Sequence, residues 1–370
     1  MATSASTSPT TAATAQGGGT REGSQPRDAR RRGTVISLSE VVPDIMLGVG
    51  QVPVAGGYAV AGAPHVSIAA GYRVMRAARR MGAPVSHAGI LGNGPLASMI
   101  HLAFDEAGIK HIGQDRIDED SGFRIMLSDD AGAKTVIAAY GAEAHGDGDC
   151  FACVEPEAGD VVHISGNTLT NQTAEGLGEF LNRPSGAARS RGFDIVLNPT
   201  SALPQVNDQL LETLVLARPI WSCNRRQADV LALRLGVQPT DAKRITVGGD
   251  IGAAMDDLCA RLSDVLGASL VIRCGAKGAW LVDRSRSPRE VTHVDAFPAT
   301  GSHTRSAGSC HTGVVCARLA AGDDLTSAVR LANAAATIAI DRSERGVPVC
   351  PSYDDAVALL RRGAAAQTQA

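Results

Sequence analysis

The sequence predicts an α/β protein: a three-layer sandwich with a mostly parallel central sheet, helices on both faces and a small β-lid. Three observations predict it. From residue 34 onward, short β-rich runs alternate with amphipathic helical stretches, the pattern that builds a parallel sheet covered on both faces. Two extended stretches, about 50–66 and 122–140, stand outside that alternation and suit a lid over a site. Aromatic residues are only 3% and charged residues 20% of the chain, which suits a packed globule rather than a disordered or fibrous one.

Residues 1–33 are rich in Ser, Thr, Ala and Gly, carry no apolar period and read as a disordered extension. They lack the apolar middle of a secretory signal, although their Ser, Thr and Arg content is compatible with a transit peptide. A cytoplasmic location is the default expectation. "TVISLSEVV" is the first buried strand. "SIAAGYRVMRAARRMGA" is a helix: Ile68, Tyr72, Met75, Ala78 and Met81 share one face, and Gly82 ends it as a C-cap. "VSHAGIL" is the next strand, followed by a helix at about 95–108. "FRIMLSDDAGAKTVIAAY" folds back as a hairpin around Asp130-Ala131-Gly132. Strands "GDVVHISG", "FDIVLNPT", "PIWSCN" and "ASLVIRCG" follow, with helices near 172–183, 206–217 and 225–235. "GAWLVDRSRSPREVTHVDAF" supplies two more strands, and helices at about 308–321 and 324–340 finish the core. The α/β domain spans 34–362, with 363–370 as a disordered tail.

Several functions are excluded or disfavoured. A net charge of −3 offers nothing to a nucleic-acid backbone. No apolar run reaches the ~18 residues of a membrane span. The eight cysteines are scattered, and Cys150-Phe-Ala-Cys153 has no second pair at zinc spacing, so reduced thiols and no protein-bound metal are expected.

The chemistry concentrates in "TRSAGSCHTG", residues 304–313. Small residues opening a helix leave backbone N–H groups free for an anion. Around it, "SEVVPDIMLGVGQVPVAGG", "AAGYRVMRAARRMGAPVSHAGILGNG", "IWSCNRRQADVLA", "VIRCGAKGAWLV", "HTRSAGSCHTGVVCARLAAG" and "AVRLANAAATIAI" appear in an order that resembles the ribokinase-like, or PfkB, family of sugar and nucleoside kinases. The resemblance spans roughly 35–350. It implies a ribokinase-like fold and transfer of phosphate from ATP, with Mg²⁺, to a hydroxyl of a sugar, sugar phosphate, nucleoside or cyclitol.

By that resemblance Ser306, Ala307 and Gly308 form the anion hole, and Ser309 stands where the family keeps its catalytic Asp. Serine is not a base by itself, and losing a general base costs roughly 10²–10⁴ in rate. Ser309 equally suits a helix N-cap. His311 is a candidate substitute base or a packed helix histidine. His303 replaces the signature's first Asp. Asn224 and Gln227 match the family's Asn-x-x-Glu, with the metal-organising carboxylate now an amide, which weakens Mg²⁺ recruitment. Gly275, Lys277 and Gly278 match the nucleotide-side turn, and Asn333 the position next to the adenine. Asp44 stands where a sugar-hydroxyl acceptor is kept. Arg73 replaces a sugar-binding Asn, so it binds an anionic group of the substrate or joins a solvated helix face.

Three readings follow: a kinase of an unusual acceptor, a catalytically silent pseudokinase holding a nucleotide or sugar-like ligand, or new chemistry in the old pocket. Family members often dimerise through the lid, and "VPVAGGYAVAGAPHV" fits either such a contact or a lid closed on its own site.

Overall fold

The computed structural model describes residues 32–188, 190–239, 251–301, 304, 307–342 and 349–368. Calls on 1–31, His303 and Ser306 lie outside them.

The central sheet opens with β1 (Val35–Ser37), and its neighbours arrive from later in the chain. They are β4 (Val85–His87), β5 (Lys110–His111), β8 (Val161–Ser165), β9 (Asp194–Asn198), β10 (Ile220–Asn224), β11 (Leu270–Arg273), β12 (Ala279–Val282) and β13 (Val291–Val294). Their order is β13-β12-β11-β10-β9-β8-β1-β4-β5. Pairing is parallel from β11 through β5, and only β12 and β13 run antiparallel.

Alternation along the strands feeds two apolar layers. Ile36, Val162, Ile164, Ile195, Leu197 and Ile272 face one cluster with Trp221, Leu177, Leu214 and Leu262. Val35, Val161, Val196 and Val271 face the other with Met75, Phe104, Val314 and Val329. The first layer carries α3 (Thr173–Asn182), α4 (Asp208–Ala217), α5 (Arg225–Arg234) and α6 (Ile251–Leu266). The second carries α1 (Gly71–Arg80), α2 (Pro95–Ala107), α7 (Ala307–Ala320), α8 (Leu325–Asp341) and α9 (Tyr353–Thr368). Burial on both faces is what a parallel sheet requires.

The lid is a four-stranded sheet ordered β3-β2-β6-β7, from β2 (Pro43–Val49), β3 (His65–Ile68), β6 (Phe123–Asp129) and β7 (Lys134–Ala139). Three expectations change here. The first central strand is only Val35–Ser37, because the chain leaves the sheet and Pro43, which has no N–H to donate, starts the lid. The stretch 50–66 is mostly irregular, interrupted by Pro53, Pro64 and glycines at 56, 57 and 62, and its strand pairing begins only at His65. The expected tail at 363–370 continues α9 as far as Thr368. That helix is started by Ser352 and Asp355, whose side chains and backbone N–H groups bond reciprocally, and Ala364–Ala366 suit helix well. The helix Ile251–Leu266, absent from the expectation, buries Met255, Leu258, Leu262 and Leu266 at helical spacing. All eight cysteines are free. Among the described residues no helix is long and apolar enough to cross a membrane.

Candidate active site

The fold itself points to the site. β1 has β4 on one side and β8 on the other, so successive connections diverge there, and such a switch point opens a crevice beyond the carboxyl ends of the strands. The residues leaving β1 and β8 are polar and buried. The imidazole Nδ1 of His163 lies 3.1 Å from the Ser37 hydroxyl and 3.3 Å from that of Ser39, which in turn meets Ser165 at 2.9 Å. Burial lowers His163 to a pKa of about 3, so it is a neutral member of this network.

Glu40 follows at the crevice floor. Its backbone N–H donates to the Thr168 hydroxyl at 3.1 Å, tying the ends of β1 and β8 together. Only 6% of Glu40 is exposed. Burial raises its pKa to about 7; the Arg124 charge pulls it down, Glu143 pushes it up and Asn167 favours the charged form. At neutral pH this carboxyl both donates and accepts.

The lid brings charges over the crevice. Asp44 on β2 is fully buried, and each of its oxygens takes a guanidinium: Arg73 Nη2 at 2.9 Å and Arg124 Nε at 2.7 Å. Arg73 comes from the first turn of α1, where it also reaches the Ser67 hydroxyl at 3.4 Å. Asp44 and Arg73, both singled out in the sequence, are therefore partners, and the helix-face alternative for Arg73 falls away. Glu143 fixes the lid hinge by accepting from Gly122 N at 2.7 Å and Gly141 N at 3.1 Å. A cavity of 420 Å³ adjoins this end, lined by Ser67, Ile68, Tyr72, Arg73 and Cys310 among others.

The other half of the site lies over β9–β11. The start of α7 is pinned from its second turn by Thr312, whose hydroxyl receives the Asn198 amide at 3.2 Å and meets Ser222 at 3.4 Å. Ala307, Gly308 and Ser309 open this helix and are half-buried. Asn224 caps α5 in a reciprocal box: its Oδ1 accepts from Gln227 N at 2.9 Å, and Gln227 Oε1 accepts from Asn224 N at 2.8 Å. The side-chain oxygen of Gln227 is thus engaged by the backbone. The turn Gly275–Lys277 leads into Gly278, whose φ is 84° and whose Cβ, if present, would lie 2.1 Å from the Val294 carbonyl. Only glycine fits there. Lys277 is exposed, and its carbonyl accepts from His293 Nε2 at 2.8 Å. Asn333 directs its amide to the Val294 and Asp295 carbonyls at 3.1 and 3.0 Å, so it holds the end of β13 in place.

His311 is only 3% exposed, and neither ring nitrogen has a hydrogen-bond partner of ordinary geometry. Burial and the Arg273 charge hold it near a pKa of 3, against a smaller pull from Asn333. A base that weak has little driving force for proton abstraction. The substitute-base expectation for His311 is withdrawn: the ring belongs to the interior.

Sequence reasoning overlooked Arg273, Arg124, Glu40 and Asn198. Asn198 and Arg273 end strands, Arg124 sits in the lid and Glu40 lies between β1 and β2, and a pattern of apolar alternation passes over such residues.

Residues 69–349 match the pfkB family of carbohydrate kinases. The chain belongs to that family. A relative, the uncharacterized sugar kinase YegV of Escherichia coli (strain K12), is 26% identical over 279 residues, which cover 75% of this chain and 78% of that protein. Ribokinase from Giardia lamblia superposes with a TM-score of 0.68 at 17% identity, covering 90% of this chain and 99% of that one. Arabidopsis thaliana ribokinase, solved with ribose and ATP, gives 0.67 at 17% identity over 89% and 99%. At these identities the structures speak to the fold, which is ribokinase-like.

Proposed function

We propose that the protein binds ATP across β10–β11 and the start of α7, and transfers its terminal phosphoryl group to a hydroxyl of a small polyhydroxylated acceptor. The acceptor, a sugar or sugar-like molecule, lies between the lid and the β1/β8 crevice. The carrying observation is the polar crevice itself: Glu40 and the Asp44–Arg73–Arg124 cluster place buried donors and acceptors where a polyol needs them. Phosphoryl transfer depends mainly on positioning and charge stabilisation, so a frame with this geometry supports it even where proton abstraction is weak. Ser309 stands at the base position and slows transfer, as serine accepts no proton near pH 7.

ATP fits the inherited turns at Gly275–Gly278 and Ala307–Gly308. Protein ligation of Mg²⁺ fits poorly, since the Gln227 amide is engaged in the capping box and the described residues hold no group of three His, Cys, Asp or Glu side chains suited to a metal. Magnesium would arrive chiefly on the nucleotide's own oxygens.

An ATP-consumption screen against sugars, sugar phosphates, nucleosides and cyclitols tests this. Slow turnover of one class is expected, and Ser309→Asp should raise it about 10²–10⁴-fold. The burial of His311, which removes the alternative base, favours a second reading, a catalytically silent ligand-binding protein. Silence of both wild type and Ser309→Asp across the panel, with tight ligand binding, would establish that reading instead.

A further inference from the structure

Arg273 occupies an unusual place. It is the last residue of β11, it pairs in register with Asn224 at the end of β10, and it directly precedes the Cys274–Gly278 turn. Its Nη1 faces the start of α7 so closely that a Cβ on Gly308 would lie 2.3 Å away. Three segments of the phosphate side therefore converge on one guanidinium. Among the described residues its hydrogen bonds go to neutral groups: Nε to the Cys223 carbonyl and Nη2 to the Ser222 carbonyl, both at 3.3 Å. Among the described residues no carboxylate pairs with it. Burial lowers its pKa, and the positive end of the α7 dipole repels a cation. A half-buried charge held against both effects, with no carboxylate beside it among the described residues, suits an anion.

We propose that Arg273 binds a phosphoryl group of the nucleotide at the first turn of α7, supplying the positive charge that a divalent cation otherwise brings. The assignment rests on the nucleotide-binding reading above. Arginine suits it, because a planar fork meets two phosphoryl oxygens at once. Binding of the triphosphate should then be nearly indifferent to metal.

The test is calorimetric titration of the full chain with ATP, in Mg²⁺ and in EDTA. Wild type should bind with affinities within about threefold of each other, and Arg273→Met should weaken binding in EDTA by about tenfold or more, as loss of a charge-assisted contact does. Arg273→Gln drops the charge while keeping donors for the Ser222 and Cys223 carbonyls; it should show the same loss, which guards against a folding defect in the methionine variant. Wild-type binding that needs Mg²⁺, or variants that bind in EDTA as wild type does, would overturn the assignment. Adenosine, which has no phosphate, separates the two levels. If adenosine binds while ATP requires Mg²⁺, only the Arg273 assignment falls. If neither binds, the nucleotide reading falls with it.

Discussion

Under the lid, buried charge meets its opposite: Asp44 lies between Arg73 and Arg124, and the Arg124 charge also pulls against the raised pKa of Glu40. Over β11 the balance differs. Arg273 has only carbonyls for company, and the nearby His311 is driven neutral. On the lid side the carboxylate has two guanidiniums in place, whereas over β11 the guanidinium has no carboxylate among the described residues. The difference separates shaping a pocket from binding in it: paired charges fix geometry, and an uncompensated one selects what enters.

The strongest way to break this comparison is to unbalance the complete side. Asp44→Ala leaves two guanidiniums facing each other without their shared carboxylate, and breaking a buried pair costs about 3–5 kcal/mol. Denaturant unfolding should register that loss; a change within experimental error would mean that the cluster is solvated and not structural.

Glu40→Gln sharpens it through pH. The folded pKa of Glu40, about 7, lies above its ordinary 4.5, so the folded chain holds a proton that the unfolded chain releases between those values. This contribution is fully present below pH 4.5 and is lost as pH rises through 7, an effect on the order of 3 kcal/mol. His87, His163 and His311, held near 3, act oppositely: stability falls as pH drops below 6.5. Subtracting the Tm–pH curve of Glu40→Gln from that of wild type cancels the histidines. The difference should decline between pH 5 and 7.5, and a flat difference would refute the assignment.

Ala70 gives the smallest effect. It enters α1 at φ 54°, ψ −126°, a conformation that costs a residue with a Cβ and suits glycine. Ala70→Gly should gain about 1 kcal/mol in denaturant unfolding. A loss would show that the helix entry is relaxed as it stands.

Much of the fold was legible because both signals it relies on are local. Helical spacing marked α2 and α5, and the Asp130-Ala131-Gly132 turn marked the β6–β7 hairpin. Asn224 and Gln227 were visible as a pair through the resemblance to the family's Asn-x-x-Glu, and the structure shows them as a capping box. The site was less legible because its pairs are distant. Asp44 meets Arg124 across 80 residues, and Glu40 meets Thr168 across 128. Arg273 carries no signal in the sequence, and only the fold shows how closely Gly308 packs against its guanidinium. For His311 the sequence left two readings open for a similar reason: a helix position near a reactive turn says nothing of which way the ring faces, and the structure buries it. The tail at 363–370 was lost to composition, since Ala-rich sequence serves equally as helix or coil until its start is capped.

A crystal structure with a non-hydrolysable ATP analogue, grown in EDTA, tests the central claim most directly. The account predicts terminal phosphoryl oxygens within hydrogen-bond distance of the Arg273 guanidinium and of backbone N–H groups at the start of α7. A triphosphate bound elsewhere, with Arg273 still bonded only to Ser222 and Cys223, would contradict it.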